Sequence, residues 1–181
     1  FAEQAVPVLE AGKYRPYQLN QEVNGSTFEF KKGDIMITKG VSMISSTISS
    51  FPKDPTLFSH IVFVYQDDKT QKFGTIESYI GTGVNLYPMK DALLNENARI
   101  LVLRPRDQSM AQAGHDYMLK RVKDTAAAKQ HIAYDYAQDF TKNDRLSCEE
   151  IAYDAYNTAS AGKVQIPWSP SEIMVKDTKF I

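Results

Sequence analysis

The chain of 181 residues contains one cysteine. A single thiol excludes an intramolecular disulfide, so the fold must hold without covalent help. It leaves the compartment open, because a chain without disulfides suits either redox environment. Histidine is scarce as well, with His60, His115 and His131 only. The pairings His115/Asp116 and His131/Asp135 match no zinc-site spacing, so no metal and no cofactor are expected. Long apolar runs are missing, and nothing approaches the roughly 18–20 residues of a membrane span, so no integral membrane segment is expected. Neither sign of charge is in surplus: 21 basic and 22 acidic residues leave a net charge of −1 and a pI near 6.4. Nucleic-acid partners are therefore not expected, since their readers carry a basic surplus clustered on one face. The richest basic stretch, Lys120-Arg121-Val122-Lys123, is flanked by Asp116 and Asp124 and reads as a solvated helix face.

Hydrophobic residues make up 43%, with 9 Phe and 10 Tyr. That is enough to build one core and a cleft in a single domain spanning 1–181. The first 26 residues read as peripheral, with a short helix over Ala5–Ala11 interrupted by Pro7, Gly12 and Pro16. The chain begins with Phe1 rather than Met, a start that a removed export signal or a trimmed boundary would each produce. From Thr27 the pattern becomes short β runs at 27–31, 34–38, 60–65, 73–80, 84–87 and 99–104. The near-continuous apolar run from His60 to Tyr65 predicts a central strand covered on both faces. Between the second and third runs, Gly40 to Pro55 reads as a long functional loop whose Met43, Ile44, Ile48 and Phe51 form one wall or lid of a cleft. The last third predicts two helices. One is capped at Ser109 and runs to about Ala128, with Met110, Ala113, Tyr117, Met118 and Val122 on one face, and the other spans Cys148–Ala159. Gly162 lies past the end of the second, and Pro167–Pro170 marks an irregular tail. Strands first and helices last predict an α+β domain around an antiparallel sheet.

Ser147-Cys148-Glu149-Glu150 fits a capping box, which sets Cys148 at the first helical position. Unpaired backbone N–H groups and the positive helix end favour a thiolate there, and nearby amides can bind a developing oxyanion. Cys148 equally fits a small core residue, because it shares an apolar stripe with Ile151, Ala152, Ala155 and Tyr156. A partner base decides between these readings. His60 opens the most hydrophobic strand, where a cleft base or a satisfied structural histidine would sit. Glu77 shares a strand face with Thr75 and Tyr79, and a carboxylate in so apolar a run needs a partner unless it faces open solvent. If the two strands are antiparallel neighbours, Glu77 would bond the His60 ring and fix its tautomer.

Gly33-Asp34-Ile35, Ser59-His60-Ile-Val-Phe-Val64, Ile76-Glu77-Ser78 with Gly83-Val84, and Tyr134-Asp135 ahead of Ser147-Cys148-Glu-Glu-Ile151 occur in a telling order. The ordered set resembles the circularly permuted NlpC-type papain-like proteins, and within them the YiiX/YebB-like branch, over about Lys32 to Tyr156. The resemblance implies a papain-like core in which a cysteine helix packs against a barrel-like antiparallel sheet. It carries Cys148 onto the nucleophile, His60 onto the general base and Glu77 onto the orienting polar residue. Ser59, Tyr134 and Glu149 would line the substrate site, with Tyr134-Asp135 structural or pocket-lining. Glu149 departs from the family, which often has Ser there. An acidic neighbour should raise the thiol pKa or shape a cationic pocket.

These readings converge on a thiol hydrolase that cleaves an amide, such as a cell-wall peptide or isopeptide, through a thioester on Cys148. The rival within the enzyme class is a lipid acyl hydrolase or acyltransferase resembling the lecithin:retinol acyltransferase group. The rival outside it is a non-catalytic binding module. The expected partner is a peptide-like or acyl-lipid substrate, and exported relatives imply a periplasmic or secreted location. A protonated His60 and the helix end are expected to outweigh Glu149 and Glu150, if those carboxylates point outward into screening solvent, and so to depress the Cys148 pKa.

Overall fold

A computed structural model describes residues 29–40, 57–94 and 97–163 and, as strands, residues 22–23, 26–27, 173–175 and 178–180. The expected helix near Ala5, the cleft-wall side chains Met43, Ile44, Ile48 and Phe51, and the tail at Pro167–Pro170 lie outside the described residues. In chain order the elements are β1 (Glu22–Val23), β2 (Ser26–Thr27), β3 (Ile35–Gly40), β4 (His60–Gln66), β5 (Phe73–Tyr79), β6 (Gly83–Pro88), α1 (Met89–Leu94), β7 (Asn97–Leu103), α2 (Gln108–Ala127), α3 (Cys148–Ala159), β8 (Ile173–Val175) and β9 (Thr178–Phe180).

Strands β3 to β7 form one sheet in the order β6-β5-β4-β3-β7, every neighbouring pair antiparallel. β4 is central, as its apolar run predicts, because each face has its own core. Phe63 and Ile76 pack with Met118, Leu146, Ile151, Ala155 and Tyr156 beneath the long helices, while Val62 and Val64 pack with Phe30, Met36, Met89 and Leu93 on the other side. Alternate residues of one strand thus feed opposite cores. The sheet is α+β as expected but open rather than barrel-like: β6 and β7 are its edges, and among the described residues they pair with nothing further. Closing a barrel needs those edges to meet; here helices cover the faces instead.

Several local details differ from the sequence reading. The run at 27–31 is not one strand, since β2 ends at Thr27 and 29–31 are irregular. Phe30 is buried there against Phe73 for packing, not pairing. α2 is capped by Asp107, whose carboxylate accepts from the N–H groups of Ser109 and Met110, rather than by Ser109. Its buried face is Ala111, Gly114, His115, Met118, Leu119 and Val122, so the predicted stripe is rotated and Ala113 is exposed. The rotation follows from packing on α3: a Cβ at Gly114 would meet Tyr156 Cε1 at 3.0 Å, so the glycine faces the contact. The basic run Lys120–Lys123 is not wholly solvated, because Arg121 reaches Asp154 of α3 at 2.5 Å and Lys123 pairs with Asp67. His115, fully buried, bonds Asp116 and the backbone of Gln66, which ties α2 to the end of β4.

Candidate functional site

The cysteine helix is delivered by a loop fastened to the sheet at several points. Val84 N–H bonds Ile132 O at 2.9 Å and Leu146 N–H bonds Ala133 O at 3.0 Å. Ser78 Oγ donates to Leu146 O at 2.6 Å, just before the helix starts. Gly83 is required in this fastening: its φ is +64°, and a Cβ would lie 2.2 Å from Ile132 O. Asp135 accepts from the N–H groups of Ala137 and Asp139, which shapes the loop from within. At the far end of α3, the Tyr156 hydroxyl donates to Gly33 O, so the turn before β3 is tied to the same helix.

At its start, α3 carries the expected capping arrangement. One oxygen of the buried Glu150 accepts from Ser147 N–H at 2.7 Å and from Ser147 Oγ at 2.8 Å. Cys148 is therefore the first helical residue, and it is half-buried.

His60 opens β4 and Glu77 lies near the end of β5. The β4–β5 ladder runs from Gln66↔Phe73 to Phe63↔Ile76, and beyond its end the His60 side chain meets those of Glu77 and Tyr79. His60 Nε2 lies 2.9 Å from Glu77 Oε2. Two hydroxyls from the same strand face complete the carboxylate's shell: Thr75 Oγ1 donates to Oε1 at 2.5 Å, and Tyr79 Oη donates to Oε2 at 2.7 Å. The Tyr79 ring also stacks on the imidazole, with centroids 5.0 Å apart and planes inclined by 22°. Glu77 is 2% exposed and His60 19%. Burial alone pushes the Glu77 carboxyl up, but the bonds from His60, Thr75 and Tyr79 outweigh it and hold the group below its ordinary value. Because Glu77 accepts at Nε2, that nitrogen carries the ring proton, and Nδ1 remains for proton transfer.

The sequence marks Thr75 and Tyr79 only as face-mates of Glu77. The period-2 rule holds the signal for both, but not the stacking of Tyr79 on His60, which depends on strand register. Replacing Tyr79 with Phe keeps most of the stack and removes one donor from the carboxylate. We expect turnover to fall roughly tenfold, in line with the loss of a hydrogen bond to a charged group. The same change should raise the Glu77 pKa toward its ordinary 4.5. A depressed carboxylate contributes stability that is fully present above the unfolded value and is lost as pH falls through the folded one. Acid unfolding of Tyr79→Phe should accordingly begin at higher pH than in the wild type, and coincident acid transitions would count against this role.

Cys148 comes to the same end of β4. The main-chain N–H groups of Ile61 and of Glu149 lie near enough to its sulfur to favour a charge there. Tyr79 and Tyr134 lie near enough to feel its charge, although burial is the main reason both phenols are raised. Tyr134 rests edge-on against Tyr136, and Ser59, just ahead of His60, donates its N–H to Thr38 O at 2.9 Å. The thiol itself does not bond His60. Its proton goes to Glu149 Oε2 at 3.0 Å. Burial first, and then the Glu149 charge and hydrogen bond, push the Cys148 thiol well above its ordinary range. The expected depression is thus reversed. That expectation has Glu149 pointing outward into screening solvent, whereas it folds back onto the sulfur.

No family model matches the sequence, and no curated protein matches it. Among solved structures the chain is similar to the crystal structure of the metalloprotein yiiX from Escherichia coli O157:H7, DUF1105. The TM-score is 0.50, with 20% identity over 72% of this chain and 67% of that one. The likeness is one of fold. This open five-stranded antiparallel sheet with its covering helices is YiiX-like, as the order of motifs implies.

Proposed function

We propose that the protein is a cysteine hydrolase acting at an acyl carbon, with Cys148 as nucleophile, His60 as general base and Glu77 as the group that orients the ring. The observation that carries this reading is the buried His60–Glu77 pair, closed by Thr75 and Tyr79, at the strand end where Cys148 also sits. An isolated core thiol would have no use for a carboxylate held ionised against a histidine.

In the reaction the Cys148 proton passes to His60 Nδ1, and the sulfur attacks the acyl carbon. The oxyanion that forms is stabilised by main-chain N–H groups at the start of α3. As the tetrahedral intermediate collapses, His60 gives its proton to the leaving amine or alkoxide, and a thioester remains on Cys148. Water, deprotonated by the same nitrogen, then releases the acid. Glu77 stays ionised throughout and stabilises the imidazolium.

The solved neighbour is described as a metalloprotein. Among the described residues here, no group of three or more His, Cys, Asp or Glu side chains could hold an ion. Both Glu77 oxygens already accept hydrogen bonds. The residues at this site therefore do not fit a metal centre.

Whether the acyl group belongs to a peptide or a lipid turns on the rim. The exposed large hydrophobics among the described residues are Leu57 (61%), Ile80 (57%) and Tyr136 (69%). Leu57 precedes His60 by three residues, Ile80 follows Tyr79, and Tyr136 touches Tyr134. Exposed apolar groups close in sequence to His60, Tyr79 and Tyr134 are the feature that keeps an acyl-lipid substrate as the second reading.

A thiol-directed acyl probe tests the proposal before any substrate is known. Labelling should occur in the wild type and vanish in Cys148→Ala, with His60→Ala lowering its rate by two orders of magnitude or more, as about 10²–10⁴-fold is usual for a general base. Equal labelling in the wild type and His60→Ala would leave a binding module as the better reading.

A further inference from the structure

We propose that Glu149 is an autoinhibitory positioning residue, which holds the Cys148 S–H bond on its own carboxylate and so slows the nucleophile until that carboxylate is drawn off the sulfur. The inference rests on the hydrolase reading and adds a resting state to it. Its basis is geometric: Cys148 Sγ donates to Glu149 Oε2 at 3.0 Å and makes no bond to His60.

Among the described residues, the surroundings leave Glu149 as the only group able to do this. From α3, Glu150 has one oxygen committed to Ser147 and its carboxyl is raised by burial. From β4 come the neighbouring His60, whose Nε2 is held by Glu77, and the Ile61 N–H, a donor that favours the thiolate rather than the thiol. From β5 comes Tyr79, its hydroxyl committed to Glu77, and from the loop before α3 comes Tyr134; both phenols are raised by burial and stay neutral near pH 7. No basic side chain among the described residues forms an ion pair with Glu149. The nearby Ile61 and Glu149 amides favour a thiolate, and one carboxylate, bonded to the sulfur at 3.0 Å, opposes it.

Removing that carboxylate should make the thiol more reactive while preserving the fold. The rate of iodoacetamide alkylation against pH, in the full chain, measures this directly. In the wild type the rate should still be climbing at pH 9, the ordinary thiol value. In Glu149→Gln the inflection should move down by at least about one pH unit. A tenfold gain in thiolate fraction, less the lower nucleophilicity of a more acidic thiol, gives a rate at pH 7 higher by roughly threefold. Glu149→Asp keeps the charge and should stay nearer the wild type, a distinction that a merely structural role would not produce. Coincident pH profiles for wild type and Glu149→Gln, with Cys148 alkylated in both, would overturn the proposal and leave the hydrolase reading standing. Failure of Cys148 to react in any of the three proteins would remove both.

Discussion

Glu77→Gln should lower the rate of Cys148 acylation by about 10²–10⁴-fold while leaving the protein folded. Three donors converge on the Glu77 carboxylate: the His60 Nε2–H and the hydroxyls of Thr75 and Tyr79. A glutamine matches the shape but offers one oxygen and one NH₂, so the NH₂ must face a former donor. A hydroxyl can rotate to accept from it, at small cost. An imidazole accepts only by moving its proton to Nδ1, which removes the lone pair needed to take the Cys148 proton. The amide also withdraws the negative charge that stabilises the imidazolium. Single-turnover acylation with an activated ester reads the effect on rate, and thermal unfolding tests that the site rather than the fold has changed. Unchanged acylation would show that Glu77 is a packing residue and that another group orients the ring.

Asp34→Ala should cost about 3–5 kcal/mol of stability, the usual penalty for breaking a buried ion pair from one side. Asp34 is 0% exposed, and Arg104 bonds it through both Nε and Nη2 at 2.8 Å. Lys31 N–H adds a third bond at 2.8 Å. These contacts join the entry of β3 to the exit of β7, where the Arg104 side chain is only 33% exposed. Alanine removes the carboxylate and leaves the guanidinium desolvated without its counter-charge. For a chain of this size the melting temperature should fall by roughly 6–20 °C. The site lies elsewhere in the sheet, so Cys148 labelling should survive at low temperature. A loss below about 1 kcal/mol in urea unfolding would mean that solvent already screens this pair. Such a result would reduce Gly33-Asp34-Ile35 from a structural clamp to a turn.

Much of the frame is legible in the residues themselves. The apolar run from Ile61 to Val64 has no polar face to offer solvent, so β4 had to lie in mid-sheet with a core on each side. The Ser147–Glu150 spacing places Cys148 at a helix start, because only there do a side-chain cap and a returning carboxylate satisfy orphan amides. The period of two puts Thr75, Glu77 and Tyr79 on one face before any partner is known. Helix faces are less legible: with Ala113 and Gly114 adjacent, the burial of one and the exposure of the other depend on where Tyr156 arrives from α3.

What the tertiary structure alone decided is how these pieces meet. Strand register, a property of two segments at once, brings His60 against Glu77 and lays Tyr79 over the ring. Sheet closure was beyond the sequence as well, because whether β6 meets β7 depends on accumulated twist and on helices covering the faces. The sharpest case is Cys148. Local chemistry at a helix start favours a thiolate, yet the direction of its pKa is set by burial and by the way one neighbouring carboxylate turns. Spacing fixes that Glu149 follows the cysteine; only the packed fold decides how far the thiol is buried and that Glu149 points at the sulfur rather than at water, and the two together, burial first, reverse the sign.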